Sequence, residues 1–168
     1  LAPIPGLSVP AHRTLVVRAL KGLEKAIPAF HASVGMFENG WEFREGGVQF
    51  LYQVYQKSDP RYTGRVTVPV LWDEKERRIV NNESAEIIRM LNSEFEAIAG
   101  SHEDYYPQRL RGEIDAVNQV VYASINNGVY RCGFATTQEA YERAFDGLFA
   151  ALDEMEARLD RSRYLVGD

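Results

Sequence analysis

Between Arg65 and Leu91 the chain reads RVTVPVLWDEKERRIVNNESAEIIRML. No other stretch limits the possible folds so strongly. Val66, Val68, Val70, Leu71 and Trp72 are β-branched or large apolar residues, a run that suits a buried strand. Asp73 to Arg78 (DEKERR) reads as a solvated turn. Ile79 and Val80 supply a short second strand, and strands joined by so few residues are antiparallel neighbours. Asn82 is placed to cap a helix whose apolar positions Ile87, Ile88, Leu91 and Phe95 share one face.

Two details within this stretch point beyond folding. Pro69 removes a ladder donor, which places it on an edge, at a bulge or in a cis turn. A cis Val68–Pro69 bond would turn the Val68 backbone outward, toward an extended peptide. Glu83 and Ser84 fall in the first helical turn, where free amides and the dipole favour an anion. A ligand carrying both a carboxylate and an amine suits Ser84 and Glu83 respectively. Read alone, Asn-Asn-Glu-Ser is better taken as a plain helix cap.

Taken together, a Val-Pro strand, a short hairpin and a Glu-Ser helix start resemble the glutathione-binding half of a thioredoxin-like domain. The wording RVTVPVLWD and IVNNESAEIIRM is similar to the xi class of glutathione transferases, the glutathionyl-hydroquinone reductases. ENGWEF at 38–43, INNGVY at 125–130 and GFATTQEAYE at 133–142 also resemble that class. The likeness runs from about Ala11 to the end of the chain. It implies an α/β thioredoxin-like domain over residues 1–97, a linker over 98–106, and part of an all-α transferase domain over 107–168.

The resemblance also implies a site. Glutathione would be the co-substrate, contacted by Trp41, Arg65, the Val68 backbone, Glu83 and Ser84. Arg65 would meet a glutathione carboxylate, for which guanidinium geometry is suited. Tyr130 would line the pocket of an aromatic quinone or hydroquinone conjugate. Xi-class chains open their first helix with Cys-Pro-Trp-Ala-His-Arg, whereas this chain reads Ser8-Val9-Pro10-Ala11-His12-Arg13. Ser8 therefore stands at the catalytic cysteine position. In the family a thiolate, stabilised by the helix start, attacks the sulfur of a glutathionyl-hydroquinone. The hydroquinone leaves, and a second glutathione resolves the mixed disulfide by exchange. Serine forms no such disulfide. Its hydroxyl could donate a hydrogen bond to a glutathione thiolate, which favours conjugation chemistry, or the site is silent.

With 168 residues the chain has room for one or two small domains and a real core. Its net charge of −5 argues against nucleic acid or an anionic membrane as partner. The single cysteine, Cys132, excludes an intrachain disulfide and a cysteine-based zinc cluster. It reads as a buried, inert thiol, and a reducing, cytoplasmic setting fits. No metal is expected. No apolar run reaches the length of a membrane span. The chain starts at Leu1 and stops at Asp168, which reads as an incomplete version of a longer protein. The full-length family is expected to form homodimers.

The other elements follow from periodicity. Leu1 to Pro10 holds three prolines and one glycine and cannot be an ordinary central strand. Leu15, Val16, Ala19, Leu20 and Leu23 predict a first helix packed on a sheet. Ala26 to Val34 is read as a second strand. Val48, Leu51, Val54 and Tyr55 predict a second helix ended by Ser58-Asp59-Pro60. Leu110, Ile114, Val117, Val121 and Ile125 mark a long helix, with Asn126-Asn127-Gly128 read as its stop. Thr136 with Glu139 reads as a capping box, and Tyr141 to Leu159 as the last helix.

Overall fold

The computed structural model describes residues 9–32, 42–43 and 47–167. The chain divides into two compact units, residues 1–105 and 106–168.

In the first unit, α1 (Val9–Leu20) packs against α3 (Ser84–Ser93). Of the stripe predicted at Leu15, Val16, Ala19, Leu20 and Leu23, Leu23 is buried, Leu15 is half-buried and the other three are exposed. Thr14 and Lys21 are buried instead, and Val17 touches the core. Lys21 tolerates burial because its ammonium donates to Glu96 Oε1 at 2.7 Å and to the Glu103 carbonyl at 3.0 Å. A polar residue with its own acceptors thus displaces an apolar one from the inner face.

The end of α1 is a Schellman turn. The Gly22 amide donates to the Ala19 carbonyl and the Leu23 amide to that of Arg18, with Gly22 at φ +64°. Leu23 then drops into a core with Ile87 and Leu91, joined at its edge by Val17, Ile27, Leu71, Phe95 and Ala99. The predicted helical face of α3 is therefore the buried one. Within 26–32 the backbone forms no strand, contrary to the expectation for Ala26–Val34. Pro28 lacks a donor there, and Arg18 takes the Ile27 and Glu24 carbonyls as side-chain acceptors.

Helix α2 (Leu51–Ser58) buries Leu51 and Tyr55 and stops at Asp59. Strands β1 (Leu71–Asp73) and β2 (Arg78–Asn81) pair antiparallel across the turn 74–77. The Asp73 carboxylate accepts the Lys75 and Glu76 amides, and Arg77 takes a left-handed φ of 53°. The ladder is shorter than expected. Val66 to Val70 form no strand among the described residues, and pairing begins only past Pro69. Of the segment 98–106 expected as linker, residues 100, 101 and 105 are hydrogen-bonded into this unit. The Gly100 and Ser101 amides donate to the Lys21 carbonyl, and Tyr105 N–H to Asn92 Oδ1.

The second unit is helical: a short 3₁₀ turn (Gln108–Leu110), α4 (Arg111–Val120), a π-helical segment (Val121–Asn126), α5 (Asn127–Gly133) and α6 (Gln138–Leu159). The predicted stop at Asn126-Asn127-Gly128 is absent. A π turn carries the helix through it, and Gly128 is buried within α5 rather than at positive φ. The cap of α6 is Thr137, not Thr136, and its hydroxyl accepts the Ala140 amide at 3.2 Å. With alanine at that third position no reciprocal box forms. Cys132 is free and half-buried rather than buried. Among the described residues no helix is long and apolar enough to cross a membrane.

Candidate functional site

The start of α3 collects most of the polar residues singled out in the sequence. Glu83, not Asn82, is the N-cap: its carboxylate accepts the Ala85 amide at 3.2 Å. Asn81 sets up that geometry, its Oδ1 accepting the Glu83 amide at 2.6 Å. The Glu83 side chain remains 58% exposed. Ser84, the first residue of the helix, is 3% exposed. Its hydroxyl lies 3.4 Å from Glu83 Oε1 and is the donor of that pair.

Asn82, released from capping, does something else. Its Nδ2 donates to the Tyr55 hydroxyl at 3.2 Å and to Thr67 Oγ1 at 3.1 Å. Tyr55, buried in α2, donates in turn to the Thr67 carbonyl at 2.8 Å. One buried phenol therefore ties the residue before Val68 to the residue before Glu83. Val68 is half-buried, and the Val68–Pro69 bond is cis. Arg65 is exposed, its carbonyl accepting from the Tyr62 hydroxyl at 2.7 Å. Among the described residues no side chain pairs with its guanidinium.

Arg13 was not foreseen. It projects from α1, and its Nε and Nη2 donate to Ser84 Oγ at 3.1 and 2.5 Å. Nη2 also lies 3.8 Å from Glu83 Oε1. The structure thus brings Arg13, Glu83 and Ser84 together, and ties the Val68 segment to them through Tyr55 and Asn82. Ser8 and Trp41 lie outside the described residues. A separation of 71 positions between Arg13 and Ser84 leaves no local spacing from which their contact could be read.

Tyr130 belongs to the second unit. It is 61% exposed, and its ring stacks on Phe134 with centroids 6.3 Å apart. The two rings line an open concavity of about 670 Å³ together with Arg131 and Arg143. The Arg131 guanidinium is anchored to the Ala123 carbonyl at 2.7 Å. Among the described residues no group of three or more His, Cys, Asp or Glu is arranged to hold a metal ion.

The sequence profile described as glutathione S-transferase, N-terminal domain, matches residues 8–94. The chain belongs to the glutathione transferase family. The chain is 54% identical over 167 residues to glutathionyl-hydroquinone reductase PcpF of Sphingobium chlorophenolicum, covering 94% of this chain and 53% of that protein. It is 49% identical over 168 residues to glutathionyl-hydroquinone reductase YqjG of Escherichia coli K12, covering 94% and 51%. The chain thus spans about half the length of these curated relatives. Among solved structures, glutathione-bound YqjG superposes with a TM-score of 0.89 at 49% identity, covering 95% of this chain and 55% of that one. Glutathione transferase Xi 1 from Trametes versicolor gives 0.88 at 46% identity, covering 95% and 60%.

Proposed function

We propose that this chain binds glutathione at the start of α3 and keeps the scaffold for glutathione-dependent reduction of glutathionyl-hydroquinones, the activity for which PcpF and YqjG are named, with Ser8 at the nucleophile position. One observation carries the reading: a buried serine hydroxyl and an exposed carboxylate stand side by side at a helix N-terminus, braced to the Val68 segment. The donor set fits an α-amino acid. The Ser84 hydroxyl and the positive helix end take the γ-glutamyl carboxylate, and Glu83 takes the ammonium. The peptide then runs along the Val68 backbone, and Arg65 takes the far carboxylate. Trp41 packs on the tripeptide, and Tyr130 hydrogen-bonds an oxygen of the aromatic conjugate. On this reading residues 1–97 form the thioredoxin-like domain, 98–106 the connection and 107–168 part of the helical domain. The setting is cytoplasmic, and full-length members of the family are homodimers.

The reduction itself needs sulfur at the nucleophile position. Ser8 supplies none, and Cys132, the chain's single cysteine, lies in the second unit. The serine favours a second reading, a transferase that conjugates glutathione by hydrogen-bonding its thiolate. Both are tested by offering this chain and its Ser8→Cys variant a glutathionyl-hydroquinone with glutathione, and separately chloro-dinitrobenzene. The expected result is hydroquinone release by the cysteine variant only. Conjugation of chloro-dinitrobenzene by the Ser8 chain alone would favour the second reading. Equal hydroquinone release by both chains contradicts the role given to position 8. Inactivity of both chains, with no glutathione binding, identifies a silent relative that keeps only the fold.

A further inference from the structure

We infer that Arg13 is a positioning residue that makes Ser84 selective for a carboxylate; the inference rests on the proposed glutathione site. A serine hydroxyl has one hydrogen to donate and two lone pairs to accept with. Arg13 fills the accepting side with two N–H groups, at 3.1 and 2.5 Å from Ser84 Oγ. The Ser84 hydrogen is then left for an acceptor: Glu83 Oε1 at 3.4 Å in the unliganded protein, and the ligand carboxylate in its place on binding. A hydroxyl held this way serves acceptors and disfavours donors, so it suits a ligand carboxylate and not an ammonium. The guanidinium adds a fixed positive charge beside the same spot, and a guanidinium is never deprotonated in proteins.

The arrangement is built rather than incidental. Ser84 is almost wholly buried, and Arg13 reaches it from a different helix, with α1 and α3 packed along each other. Arg13 is itself only partly exposed, at 38%. Its 3.8 Å approach to Glu83 Oε1 also holds that carboxylate beside Ser84, where an ammonium on the same ligand carbon would reach it. The site runs from the positive Arg13 through the neutral Ser84 hydroxyl to the negative Glu83, a polarity that the carboxylate and ammonium of an α-amino acid terminus complement.

The test is isothermal titration with two ligands: glutathione, and its analogue lacking the γ-glutamyl α-carboxylate. The proteins are the unsubstituted chain, Arg13→Leu, Arg13→Lys, and each of these in a Ser84→Ala background. Arg13→Leu is expected to weaken glutathione about tenfold, a factor equivalent to about 1.4 kcal/mol. The analogue is expected to bind the unsubstituted chain and Arg13→Leu within about twofold of each other. Arg13→Lys restores part of the loss, because it keeps the charge and loses the fork. With Ser84→Ala, removing Arg13 has little further effect, since residues acting through one another are not additive. Equal weakening of both ligands, or no weakening of either, overturns the role of Arg13 while leaving the glutathione site in place. Absence of glutathione binding by the unsubstituted chain overturns the site itself, and Arg13's role with it. If Arg13→Leu fails to fold, Arg13→Lys carries the same comparison, and unchanged glutathione affinity there overturns the inference.

Discussion

Gly22 shows how a single residue sets the geometry of the first unit. It closes α1 in the left-handed region, and a Cβ built on it would lie 2.9 Å from Gly100 Cα, a backbone atom that cannot swing aside. Two costs coincide there: the left-handed conformation for a residue with a side chain, and a steric overlap. Gly22→Ala is expected to lower unfolding stability by about 2 kcal/mol or more, measured by urea denaturation. A loss under about 0.5 kcal/mol would mean that the two backbones are free to part. The approach of Gly22 to Gly100 is not legible in the sequence, because the two lie in separate segments.

At the scale of elements, the useful comparison is between what one helix or strand dictates and what its neighbours add. The inner face of α3 followed from the spacing of Ile87, Leu91 and Phe95, since apolar residues at helical spacing have few alternatives. The inner face of α1 did not, because Lys21 is buried only by virtue of Glu96 and the Glu103 carbonyl, both remote in sequence. The end of the α4–α5 run was also misread. Asn-Asn-Gly is a common stop, yet the chain passes it in a π turn, with Gly128 buried inside the next helix. At the candidate site, Glu83 and Ser84 were legible as a helix start, whereas Arg13, Tyr55 and Asn82 act through contacts between elements. Tyr55 offers the sharpest test. Its hydroxyl joins α2 to Thr67 and Asn82, so Tyr55→Phe keeps the ring and strands the Thr67 carbonyl and amide. A loss of about 1–3 kcal/mol is expected, with weakened glutathione binding in the same variant. An unchanged unfolding midpoint would remove Tyr55 as the brace between the two halves of the site.

At the scale of the whole molecule, the first unit is closed by ionic contacts as well as by its core. The Glu96 carboxylate accepts from the buried Lys21 ammonium and sits 2.9 Å from His102 Nδ1. The Lys21 hydrogen bond, then that of His102, hold the Glu96 carboxyl below the ordinary glutamate range. A carboxyl depressed in the folded state contributes stability that is complete above its unfolded pKa and is lost as pH falls through the folded one. Urea midpoints of the unsubstituted chain and Glu96→Gln are therefore expected to differ at neutral pH and to converge in acid, below the usual glutamate pKa. A difference that stays constant into acid would show that the contact contributes nothing through its charge. The central claim, that glutathione occupies the start of α3 beside Val68, is tested most directly by amide chemical-shift mapping during a glutathione titration. The account predicts saturable shifts concentrated at 65–68 and 83–86. Shifts confined to residues 106–168, or none at millimolar ligand, would contradict it.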